Sequence, residues 1–237
     1  LSVFDAAVAL TGVAAGAVAA VAGFGVGSLL TPLLTSRYDA KLAVAIVAIP
    51  HAIATLLRLW RLRHDISWTV LRGFGVASAA GGLVGAIIFT RVAGSALQAV
   101  LGVLLVAVGS VELLGRSWRI QPRWSVAAGA LSGMFGGMVG SQGGVRSAGL
   151  LALNLPPRAF VATAAAIALI VDAVRIPFYM AESAAELRST AREIAIATGG
   201  VVVGTFAGTA ILLRLSPRLF RRAIGAVLVI MGLWLLR

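Results

Sequence analysis

The chain gathers its apolar residues in blocks of about twenty, the length at which an α-helix crosses the hydrocarbon core of a bilayer. Eight blocks can be read along the sequence, at roughly residues 3–34, 41–59, 68–90, 96–114, 124–153, 159–180, 193–213 and 219–236. Hydrophobic residues make up 60% of the chain and charged residues only 12%, whereas soluble domains are about half apolar and a quarter charged. A transmembrane β-barrel would show alternating strands of about ten residues, and none appear. The fold class that follows is an all-α polytopic membrane protein. A formal charge of +12 would point to nucleic acid in a soluble chain. Here the arginines cluster between the blocks, where headgroups meet them, so membrane lipids rather than nucleic acid are the expected partner. Cysteine is absent, which removes both a disulfide framework and a thiolate metal site. The first block lacks a basic leader and runs on too long to read as a cleavable signal peptide.

The first and fifth blocks are longer than a span needs, and each contains a glycine-rich interruption: "AGFGVGS" at 22–28 and "VGSQGGV" at 139–145. Sliding the chain on itself exposes a repeat. An offset of 117 puts Gly23 on Gly140, Gly27 on Gly144, Lys41 on Arg158 and Arg58 on Arg175. An offset of 123 puts Gly81 on Gly204, Gly85 on Gly208, Arg91 on Arg214, Gly102 on Gly225 and Gly109 on Gly232. The expected organisation is a membrane repeat at 1–115, a basic linker at 116–123 and a second repeat at 124–237, each with four segments. If the interrupted segments are broken spans, the halves lie parallel; if they are re-entrant hairpins, the halves are inverted. Eight simple spans would put Arg61, Arg63, Arg72, Arg116, Arg119, Arg123, Arg188, Arg192 and Arg237 on one side. Arg37, Lys41, Arg91, Arg158, Arg214, Arg218, Arg221 and Arg222 would face them, a split too even for the positive-inside rule.

A helix broken against lipid would leave backbone groups unsatisfied, at several kcal/mol each, so such breaks persist only where protein or a water-filled cavity covers them. The half-helix after a break offers free N–H groups and the positive end of its dipole, which suits an anion. Those half-helices are expected to begin near Ser28 and Ser147. Close helix packing explains the glycines at 81, 85, 204 and 208.

Four ionisable residues fall outside the loop clusters: Arg58, Arg146, Asp172 and Arg175. Such residues face the bundle interior and serve a purpose. Arg58 and Arg175 lie near block ends, where a long side chain can snorkel. Asp172 sits three residues before Arg175, on the same helical face, and Arg146 has no route to the headgroups. His51, Thr55 and Arg58 share one face of the second block. A lone histidine is more often structural, yet its ordinary pKa near 6.5 makes His51 the candidate for proton coupling. Three arginines against one aspartate leave a surplus of two positive charges, which a dianionic or strongly anionic small substrate would balance.

The stretches "GFGVGSLLTPLL" and "GSQGGVRSAGLL", together with "IPHAIATLLRLW" and "LNLPPRAFVATAAAIALIVDAVRIPFY", resemble the TauE/SafE sulfite-exporter family of anion permeases over nearly the whole chain. The resemblance implies transport of small sulfur-containing anions such as sulfite or organosulfonates across the bacterial cytoplasmic (inner) membrane. The sequence departs from the commoner triple-glycine pattern at Val26, at Gln142 and Arg146, and at Gly149, where the first half has Pro32.

The expected function is a secondary transporter, an exporter or permease, with no cofactor and no metal. Arg146 and Arg175 would hold the anion. Ser28, Ser141, Gln142 and Ser147 would add hydrogen bonds, with Gly25 and Gly144 bringing backbone close. Asp172, His51 and Arg58 would organise the site or couple protons. Alternatives are an anion channel on the same frame and a permease for another small oxyanion or carboxylate. No nucleophile–base motif or metal-spaced cluster supports an enzyme. Oligomeric state is left open, a homo-oligomer included.

Overall fold

The computed structural model describes residues 2–115, 121–208 and 216–237. Among them there are ten helices and no strand. They are α1 (Val3–Ala22), α2 (Val26–Thr35), α3 (Ala40–Leu62), α4 (Trp68–Arg91), α5 (Gly94–Leu113), α6 (Ser125–Val139), α7 (Gly143–Leu151), α8 (Pro157–Ser189), α9 (Ala191–Val203) and α10 (Pro217–Leu235). Helix α4 contains a π-turn at Leu71–Gly75, and α9 continues into another at Gly204–Gly208. Five helices (α1, α3, α4, α5 and α8) are long and apolar enough to cross a membrane by length and composition. Large apolar side chains such as Leu10, Val76 and Ile230 face outward, as lipid contact requires. The chain is a polytopic α-helical membrane protein.

The two interruptions split their blocks into separate helices, α1–α2 and α6–α7. The half-helices begin at Val26 and Gly143, two and four residues before the serines that sequence pointed to. Glycine sets the position. Gly23 (φ 77°) and Gly140 (φ 71°) close α1 and α6 in the left-handed conformation, which costs a residue without Cβ least. The sixth block also extends further than its apolar run. Helix α8 kinks at Ser183 (φ −131°, ψ 31°) and continues to Ser189, because "AESAAELRS" is rich in helix-forming alanine and glutamate.

Contacts at the helix ends sort them onto two faces. On the first, Phe4 meets Tyr38 edge-on, Arg192 pairs with Asp5 at 2.6 Å, and Tyr38 donates to Glu193 at 2.8 Å. Lys41 there reaches Glu182 and the Thr90 carbonyl, and Gln98 donates to the Leu235 carbonyl. On the second face, Arg158 pairs with Asp65, the Ser67 N–H donates to Thr163, and Arg61 stacks on Phe206. Phe74 packs there between Gly129 and Gly149, and Arg221 pairs with Glu112.

Helix α1 therefore leaves the first face and α2 returns to it, since Phe4 and Tyr38 touch. Helix α6 leaves the second face and α7 returns to it, since Gly149 lies beside Ala128. Both interrupted segments are re-entrant hairpins. This overturns the charge distribution expected from eight simple spans, because each break reverses the chain instead of interrupting a crossing. Arg158 joins Arg61 and Arg63, while Arg188 and Arg192 join Lys41. The first face carries Arg37, Lys41, Arg91, Arg188, Arg192 and Arg237 among five acids: Asp5, Asp39, Glu182, Glu186 and Glu193. The second carries Arg61, Arg63, Arg72, Arg123, Arg158, Arg218, Arg221 and Arg222 with only Asp65 and Glu112. Arg116, Arg119 and Arg214, and most of the linker 116–123, lie outside the described residues.

The helices pack in crossed pairs: α1 on α9, α6 on α4, α3 on α8 and α5 on α10. Small residues let them approach closely. A Cβ at Gly81, Gly85 or Gly133 would overlap a backbone carbonyl across the α4–α6 contact, and one at Gly16 or Gly204 would do so across α1–α9. The Gly102–Gly232 and Gly109–Gly225 contacts join α5 to α10. The packing of Gly208 lies outside what is described.

Overpacking such a contact costs about 2–3 kcal/mol, a fall of roughly 5–10 °C in Tm for a chain of this size. Gly133→Val should show that fall in a detergent melt. Gly199→Ala, where nothing lies within 4 Å, should not. Equal melts for the two variants would contradict the close α4–α6 approach.

Candidate functional site

Where α1 and α6 stop inside the protein, their last carbonyls lack intrahelical partners. Both ends are closed in the same way. The Gly23 N–H donates to the Ala19 carbonyl at 3.0 Å, and Arg58 from α3 donates to that carbonyl too. The Gly140 N–H donates to the Gly136 carbonyl at 3.1 Å, and Arg175 from α8 donates to the same oxygen at 3.1 Å. Arg58 also donates to Thr55 Oγ1 (3.1 Å). It is buried and does not snorkel. The Tyr179 hydroxyl donates to the Gly137 carbonyl at 2.6 Å. Tyr179 is a further member of the layer, marked in the sequence only as a phenol one turn after a buried arginine in an otherwise apolar stretch, where it needs a partner.

Arg175 uses its remaining donors on Asp172. Its Nε donates to Oδ1 at 2.9 Å and its Nη2 lies 2.8 Å from the same oxygen. The guanidinium also lies over the Tyr179 ring, 5.4 Å from its centroid. The other carboxylate oxygen, Oδ2, lies 2.7 Å from His51 Nδ1. His51 on α3 and Asp172 on α8 thus join the two helices through a buried His–Asp–Arg chain, with Asp172 itself fully enclosed.

The hairpin tips cross. Gly27 abuts the Gly140 carbonyl, Gly143 abuts Phe24, and Ser28 Oγ lies 3.2 Å from Ser141 Oγ. Ser132 donates to the Gln142 carbonyl (3.1 Å). Arg146, one turn into α7, reaches across the crossing and donates from Nη2 to the Gly23 carbonyl at 2.8 Å. It is 2% exposed, yet its Nε and Nη1 have no protein partner. Gln142, the residue immediately before α7, is equally buried, and both ends of its amide are unpartnered.

The expected site residues thus fall into groups. Arg146, Gln142, Ser28 and Ser141 stand at the crossing. His51, Asp172, Arg175 and Arg58 form the layer that holds it. Ser147 is half-buried and makes no described hydrogen bond. Gly144 faces Val108 of α5, and Gly25 packs on Val18 of its own hairpin. Thr31 Oγ1 is a further buried, unpartnered group. Among the described residues no three His, Cys, Asp or Glu side chains cluster as metal ligands would.

Removing one member of a buried ion pair costs about 3–5 kcal/mol, because the other charge is stranded. Asp172→Asn should lower the Tm strongly, and adding Arg175→Met should not restore it, because the Gly136 carbonyl then loses its guanidinium donor; a double variant melting as the wild type does would show that Arg175 is not needed to hold the end of α6.

No curated protein and no solved structure matches the chain significantly. The family model of the sulfite exporter TauE/SafE matches residues 8–235. The chain belongs to the TauE/SafE sulfite exporter family, a family of membrane transporters for small anions.

Proposed function

We propose that the protein is a secondary transporter of small sulfur-containing anions, sulfite or an organosulfonate, in the bacterial cytoplasmic membrane. One observation carries this most directly. A buried arginine, Arg146, keeps two donor nitrogens free in the first turn of α7, and Gln142, immediately before that helix, keeps its whole amide free. Unmet donors of this kind are expensive in a low-dielectric interior, and an oxyanion or sulfonate would meet them. The positive end of α7 adds to the attraction. The three buried arginines outnumber Asp172 by two charges, which favours a strongly anionic ligand.

In this proposal Arg146 and Gln142 bind the anion, with Ser28, Ser141 and Ser147 as further hydrogen-bonding groups and Gly25 and Gly144 shaping the backbone. Arg175 and Arg58 hold the broken helix ends, so their role is positioning. His51, bound to Asp172, is the proton carrier.

We further propose that residues 1–115 and 124–237 are inverted repeats. In support, the paired starts Val26/Gly143 and Ala40/Pro157 are separated by 117 residues, and Trp68/Ala191 and Gly94/Pro217 by 123. The hairpins enter from opposite faces. Such a frame supports alternating access by rocking about a central site.

A hydrogen bond to a charged group is worth about 1.5–3 kcal/mol. Arg146→Gln should therefore weaken anion binding by about 10- to 100-fold and reduce flux in proteoliposomes, with Arg146→Lys retaining part of it. Undiminished sulfite or sulfonate flux in Arg146→Gln would overturn the assignment. His51→Gln should flatten the pH dependence of flux while leaving substrate binding in place; an unchanged pH profile would remove His51 as the carrier.

A further inference from the structure

The second face differs from the first in more than charge. A cavity of about 430 Å³ opens there between the end of α5 and the start of α10, lined by Glu112, Leu114, Gly115, Arg218, Arg221 and Arg222. Arg221 is paired with Glu112 at 2.7 Å. Arg218 and Arg222, one helical turn apart, meet no carboxylate among the described residues. The cavity thus carries two uncompensated positive charges. The N-terminal end of α10, capped by Ser216, adds the positive end of its dipole. Leu114, 68% exposed, lines the same cavity. Trp60, Trp68 and Trp124 stand exposed on this face, and such tryptophans sit at headgroup level.

We propose that this cavity binds the phosphate of an anionic phospholipid, and that the second face is the cytoplasmic one. Arg218 and Arg222 hold the phosphate, while Leu114 meets the first carbons of an acyl chain. Basic pockets between helices on the cytoplasmic side suit this ligand. The orientation follows from the re-entrant topology. With both hairpins turning back, the second face holds eight described basic residues against six on the first, and it is basic residues, not acids, that set orientation. The positive-inside rule then applies. The proposal is independent of what the protein transports.

Native mass spectrometry of the full chain, released from detergent with phosphatidylglycerol, cardiolipin or phosphatidylcholine, tests the site. The wild type should retain the two anionic lipids at least tenfold more than phosphatidylcholine. Arg218→Gln with Arg222→Gln should lose that preference, whereas Arg37→Gln with Arg91→Gln on the first face should keep it. Inorganic phosphate at millimolar concentration should not displace the lipid. Equal retention of phosphatidylcholine, an unchanged double variant at 218 and 222, or full displacement by inorganic phosphate would each overturn the lipid site. Because the chain has no cysteine, Ser36→Cys and Gln121→Cys report orientation. In intact bacterial cells an impermeant maleimide should label position 36 and reach 121 only after permeabilisation; the reverse pattern would overturn the cytoplasmic assignment.

Discussion

A helix that stops inside a membrane protein exposes carbonyls that no water reaches, at several kcal/mol for each one left unmet. The rest of this structure follows from how that is solved at the ends of α1 and α6. Backbone alone closes part of each end, through the left-handed glycines at 23 and 140. Guanidinium groups close the remainder: Arg58 at Ala19, Arg175 at Gly136 and Arg146 at Gly23. Burying three arginines requires an acid, and Asp172 is that acid. Asp172 in turn meets His51 across the contact between α3 and α8. A local need for hydrogen-bond donors thereby fixes how two long helices cross.

The two hairpins are similar in backbone but unequal in chemistry. Leu29 stands in the first half where Arg146 stands in the second, and Gly25 where Gln142 stands. Only the second hairpin brings a charged side chain to the crossing, and that side chain both holds the opposite hairpin and keeps donors to spare.

Much of this was legible in the sequence, and the reasons for the rest are physical. Block length and composition gave the class, because a bilayer imposes a length. The breaks were legible as glycine clusters, and Arg146 and Asp172 as charges with no route to water. Direction was not. Hydropathy is the same whether a broken helix continues or turns back, so contacts such as Phe4 with Tyr38 were needed to show the reversal. The hold of Arg175 on the end of α6 was not legible, because its carbonyl partner, Gly136, lies 39 residues away, and backbone acceptors leave no mark on composition. The half-helix starts fell short because the left-handed glycine ends one helix early and the next begins within three residues. Tyr179 went unread for the same reason as Arg175: its partner is a backbone oxygen.

The proposed alternating access about the site at the hairpin crossing requires the tips to separate during transport. The pair Ser28→Cys and Ser141→Cys, in a chain with no other cysteine, measures it directly, since the native hydroxyls lie 3.2 Å apart. Mild oxidation in proteoliposomes should form the disulfide and stop sulfite or sulfonate flux, and reduction should restore it. A fully formed disulfide with undiminished flux would contradict the account, because the tips would then be a fixed joint and not the moving part.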